Sequence, residues 1–160
     1  MTLVIRRMLN VLVAALAISI LGPLAALADG PEESVGVVDS TTGKWYLRDP
    51  FNGETTSFFF GNPGDTPFMG DWDCDGVDTP GLYRRADGFV YLRNSNTQGI
   101  ADIRFFFGNP GDIPLAGDFD GDGCDTVSIY RPAEQRIYVI NRLGSDEGGL
   151  GTNRMAKLQA

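Results

Sequence analysis

The sequence predicts an all-β repeat fold, a partial β-propeller of about two and a half four-stranded blades with a 47-residue period. Three observations carry this reading. Residues 61–84 (GNPGDTPFMGDWDCDGVDTPGLYR) recur in register as residues 108–131 (GNPGDIPLAGDFDGDGCDTVSIYR), and a period of 20–50 residues marks a repeat architecture. Short β-branched or aromatic runs bounded by Gly, Pro, Asn or Asp fill residues 35–141, and no helical period appears before the tail. Phenylalanine triplets at 58–60 and 105–107 put rings on both faces of a strand, so both faces of its sheet need cover. Small sheets packed face to face around an axis meet that need.

One complete unit reads as four strands. The first spans 67–70 and leads into an aspartate-rich loop; the others span 81–84, 89–93 and 103–107. Asp87-Gly88 suits the tight turn between the second and third strands. Pro63-Gly64-Asp65 and Pro110-Gly111-Asp112 turn the chain into the next first strand. Partial copies flank this unit. Gly36-Val37-Val38 and Trp45-Tyr46-Leu47-Arg48 supply inner strands of an earlier unit, and Ile137-Tyr138-Val139-Ile140 those of a later one. The later unit lacks its Phe triplet, where Arg154-Met155-Ala156-Lys157-Leu158 stands instead, so residues 142–160 read as a degenerate tail.

The N-terminus has the form of a signal peptide over residues 1–28. Arg6 and Arg7 precede an apolar run at 11–21, Gly22-Pro23 breaks it, and Ala26-Leu27-Ala28 offers a cleavage site before Asp29. The run is short of the ~20 apolar residues that span a bilayer. Cleavage is therefore expected over a lasting membrane anchor, with a linker at 29–34, the repeat domain at 35–141 and a secreted product. Losing Arg6 and Arg7 takes the formal net charge from -8 to -10, which disfavours nucleic acid and anionic membrane as partners. Cys74 and Cys124 sit at different positions of the two aspartate loops, and in an exported chain they read as a disulfide bridging neighbouring repeats. Two unpaired thiols, or one intermolecular bond, are the alternatives.

The loops carry the chemistry. Asp71, Asp73, Asp75, Gly76 and Asp78 match Asp118, Asp120, Asp122, Gly123 and Asp125. Carboxylates at the first, third and fifth positions of a tight turn point at one centre, the glycine lets the backbone reverse, and the Val77 and Cys124 carbonyls are natural further ligands. About two calcium ions per chain are expected, because calcium accepts looser geometry than magnesium. An Asp/Gly-rich turn that binds nothing is the alternative. The loops are not EF-hands: Leu82 and Ile129 occupy the twelfth position, where those carry glutamate.

The pattern Gly-Asp-x-Asp-x-Asp-Gly-x-Asp after a short apolar strand, followed by a strand such as 126–130, resembles the FG-GAP/VCBS-like repeats related to the integrin α-subunit β-propeller. The resemblance covers about residues 35–141. It implies calcium-binding propeller blades, with the loop joining the first two strands of each, and extracellular adhesion or carbohydrate-related settings. The family commonly places an acid at the ninth loop position, where this chain has Thr79 and Thr126.

Catalysis is not expected. The chain has no histidine, no nucleophile elbow and no phosphate-binding glycine loop. The aromatic residues Trp45, Trp72, Tyr83, Tyr91, Tyr130 and Tyr138 recur at equivalent positions and read as core before sugar platforms. Arg48, Arg84, Arg93 and Arg131 are expected to flank strands and pair with acids. The leading expectation is a secreted, calcium-binding structural, adhesion or binding module whose partners are extracellular proteins or glycans. A carbohydrate-binding accessory domain of an extracellular hydrolase, and a truncated fragment of a longer repeat protein, are the alternatives. Two and a half blades leave apolar sheet faces open, so two chains supplying about five blades are expected to self-associate.

Overall fold

The computed structural model describes residues 2–7, 33–49, 51–144 and 153–157, all of them in strands, turns or irregular segments. The twelve described strands form three four-stranded antiparallel meanders. The first sheet comprises β1 (Thr2–Arg7), β2 (Glu33–Asp39), β3 (Lys44–Arg48) and β4 (Thr55–Phe59) in that order. The second comprises β5 (Thr66–Gly70), β6 (Thr79–Arg84), β7 (Phe89–Leu92) and β8 (Ile103–Phe106). The third comprises β9 (Ile113–Gly117), β10 (Thr126–Arg131), β11 (Arg136–Ile140) and β12 (Asn153–Lys157). The second sheet matches the four strands expected of a complete unit within a residue or two. No described helix is long and apolar enough to cross a membrane.

Both ends of the chain differ from expectation. Residues 1–28 were expected to stand outside the fold, yet β1 pairs antiparallel with β2, Thr2 opposite Val38 and Arg7 opposite Glu33. The degenerate tail supplies β12, which pairs with β11 from Arg136↔Lys157 to Ile140↔Asn153. The physical reason is the same in each case. β2 and β11 otherwise present unpaired backbone edges, and ladder pairing uses N–H and C=O groups that any sequence provides. A search for repeated side chains cannot find such strands. Three sheets replace the two and a half expected. The apolar run at 11–21 and the cleavage site lie outside the described residues.

Neighbouring sheets pack face to face. Val38, Trp45, Leu47, Phe58 and Phe60 of the first bury against Met69 and Leu82 of the second. The opposite side of the second sheet buries Phe68, Tyr83, Val90, Leu92, Phe105 and Phe107, with Trp72 beyond β5, against Val127, Ile129 and Ile140 of the third. The first strands of successive sheets approach one another, β1 to β5 and β5 to β9. Trp45, Trp72 and Tyr83 are core, as expected, while Tyr91, Tyr130 and Tyr138 are half-buried. Tyr83 also donates to the Asn109 carbonyl at 2.6 Å, and burial pushes its phenol up to about 12.

The Phe triplets behave differently from expectation. The outer members are buried, but Phe59 and Phe106, on the opposite face of their strands, are 46% and 51% exposed, so the cover on that face stops short of these two rings. Cations and rings shield it in part. Lys44 Nζ lies 5.7 Å from the Phe59 ring centre, and Phe106 meets Phe89 edge-on at 5.8 Å.

Candidate metal centre

Each aspartate loop joins the first and second strands of its sheet, so a strand end and a strand start fix its two ends. Asp71 and Asp118 anchor the loops. Asp71 Oδ1 accepts the Asp75 amide at 3.0 Å and its Oδ2 the Gly76 amide at 2.8 Å. Asp118 repeats the pattern with Gly121 and Asp122 on one oxygen and Gly123 on the other, at 2.7, 3.1 and 2.9 Å. These amide bonds, Gly123 foremost, hold the Asp118 carboxyl below its ordinary value. Gly76 and Gly123 adopt φ of 82° and 90°, the left-handed reversal that favours glycine.

The anchored turns gather carboxylates. Oxygens of Asp71, Asp73 and Asp75 lie within 4.8 Å of one another, as do those of Asp118, Asp120 and Asp122. A hard cation about 2.3–2.6 Å from each oxygen spans such separations. Both triplets could therefore hold a metal ion, and their all-oxygen donors suit a hard one. The Asp73 carboxyl is pushed above its ordinary value, by desolvation first and then by the charges of Asp75 and Asp71. A bound cation would relieve that repulsion.

The other expected ligands stand differently. Val77 and Cys124 donate their amides to Asp75 Oδ1 and Asp122 Oδ1, at 2.8 and 2.9 Å, which sets them beside the triplets. Asp78 and Asp125 lie outside both triplets. The Asp78 carbonyl accepts from the Asn96 side chain at 3.2 Å. Asp125, half-buried, turns towards the first loop, where its Oδ2 accepts the Asp71 amide at 3.0 Å. Desolvation pushes its carboxyl up, and the charges of Asp71 and Asp118 add to this against the bond from Asp71. The ninth-position threonines are buried; Thr79 Oγ1 donates to the Gly70 carbonyl at 3.3 Å.

Cys74 and Cys124 form a disulfide between the loops. Cys74 takes φ of 65° at the loop position where the second copy has Gly121 at 79°. A further repeated constellation escaped the sequence reading in its geometry. Arg84 forks onto both oxygens of Asp65 at 3.0 and 2.9 Å, with its guanidinium 4.4 Å from the Tyr91 ring centre. Arg131 does the same with Asp112 and Tyr138, the ring 4.6 Å away. Asp65 and Asp112 also accept the amides of Asn62 and Asn109 and so pin the Asn-Pro-Gly-Asp turns. The repeated turn sequence was the available signal. Arg93 departs from simple acid pairing: it donates to the carbonyls of Thr97, Gln98 and Ile100, and Asp102 stands 3.9 Å away.

The chain matches none of the family models, curated proteins or solved structures with which it was compared. The resemblance noted above therefore rests on the loop motif and the strands around it.

Proposed function

We propose that this chain is an extracellular, calcium-stabilised β-repeat module, its sheets stacked as propeller blades, that serves structure or binding rather than catalysis. The observation that supports it best is the convergence of two aspartate triplets in equivalent loops of successive sheets. The three carboxylates of each turn repel one another, and divalent ions of the calcium type offset that repulsion with oxygen ligands at the right spacing. The disulfide between the loops favours an oxidising, extracellular setting. Burial of Trp45, Trp72 and Tyr83 removes three of the rings suited to sugar stacking, which favours a structural role over glycan binding. Calorimetric titration with calcium tests the reading, with about two ions expected per chain and affinities of about 10⁻⁴ to 10⁻³ M. No heat of binding, together with a melt unaltered by chelator, would remove the metal assignment.

A further inference from the structure

We propose that the third sheet docks onto the first sheet of a second copy, so that two chains close one ring of six sheets. The inference rests on the blade reading above, but not on calcium. Its basis is how equivalent residues are treated at the two junctions inside the chain. Phe68 and Trp72 of the second sheet are buried against the third, meeting at 5.6 Å edge-on. Their repeat equivalents in the third sheet are Leu115 and Phe119, which are 37% and 43% exposed, beside Ile113 at 39%. The local construction is otherwise the same. Trp72 lies over Gly70 as Phe119 lies over Gly117. Phe68 covers its cross-strand partner Gly81, and the smaller Leu115 pairs with the larger Ser128.

The matching surface lies at the other end of the stack. Leu82 is buried and Tyr91 packed on the side of the second sheet that meets the first. Their equivalents in the first sheet, Val37 and Tyr46, are half-buried on its far side. A second copy brings that side to Leu115 and Phe119 as the third sheet brings Ile129 and Tyr138 to Phe68 and Trp72. The contact is head to tail, and two such contacts related by a two-fold axis close without leaving a free face. Six sheets fall within the four to eight of propeller rings.

The test is light scattering of the full chain with calcium, alongside two variants, Leu115→Asp/Phe119→Asp and Tyr46→Asp. The wild type is expected at about twice the 17.3 kDa chain mass, and each variant alone near the single-chain mass. An equimolar mixture of the two variants keeps one intact junction and should recover dimer. A wild-type monomer at micromolar concentration, a dimer indifferent to both substitutions, or a mixture that stays monomeric overturns the proposal; the last two point to another face. Amide exchange on the same samples separates the two readings. Protected β5–β10 amides in a monomer remove only the ring, whereas unprotected ones remove the stacked blades as well.

Discussion

Asp125 and Asp71, 54 residues apart, hold each other through two hydrogen bonds. The Asp125 amide donates to the Asp71 carbonyl at 2.9 Å, and the Asp71 amide donates to the Asp125 carboxylate at 3.0 Å. A residue that the repeat pattern assigns to the second loop's ligand set thus braces the first loop. The Cys74–Cys124 disulfide ties the same two loops covalently. The candidate metal sites are therefore one coupled structure across a sheet junction.

Replacing Asp125 with asparagine should separate bracing from charge. Its carboxyl is raised by desolvation first and by neighbouring carboxylates after that. A raised carboxyl favours the fold while protonated, and that contribution disappears as pH climbs from the ordinary aspartate range through the raised value. Asp125→Asn keeps an acceptor for the Asp71 amide and cannot ionise. In chelator, its denaturation midpoint should fall less steeply than the wild type's across that window. Calcium should still stabilise it, because the triplets are intact.

Each of the two loops should contribute to the calcium response. With an affinity near 10⁻³ M, about 10 mM calcium stabilises the fold by roughly 1.4 kcal/mol per site. Asp73→Ala and Asp120→Ala should each remove about half of the calcium-dependent rise in melting temperature, and the double variant all of it. A full rise in the double variant would show that the ions bind elsewhere.

Breaking the disulfide should cost far more than a surface change. Cys74 and Cys124 are 50 residues apart, and closing a loop of that length contributes about 4 kcal/mol in the chain-entropy description. Cys74→Ser/Cys124→Ser should lose most of that by urea denaturation and bind calcium more weakly. Non-reducing mass spectrometry of native protein should find no alkylatable thiol.

The turn before β11 contains an improvable residue. Gln135 adopts φ of 53° where the equivalent turns have Gly43 at 71° and Gly88 at 75°. Gln135→Gly should raise stability by about 0.5–1 kcal/mol, because glycine takes this conformation without penalty. Gly88→Ala should instead be damaging, since a Cβ there would lie 2.4 Å from the Gly108 carbonyl oxygen. Thermal melts of the pair should shift in opposite directions.

Arg131→Ala should be among the most destabilising single changes, at about 3 kcal/mol, because it strands the buried Asp112 carboxylate without its fork partner. Arg131→Lys should recover only part of this, since an ammonium cannot reproduce two parallel bonds. Chemical denaturation of the two variants measures the difference.

The sequence by itself determined the period, the strands β5 to β8 and the convergent loop aspartates. These follow from short-range rules: alternate side chains in a tight turn share a centre, and β-branched runs between turn residues extend. Only the tertiary structure decided the rest. β1 and β12 exist because an open sheet edge recruits backbone whatever its side chains, so no repeated residue announces them. Phe59 and Phe106 take the opposite face from their buried neighbours, as alternation requires, but how far a neighbouring sheet reaches over them is a matter of packing, and it leaves both rings exposed. The reach of Asp125 across to Asp71 depends on how one sheet sits against the next, and that long-range packing leaves no trace in the spacing of either loop.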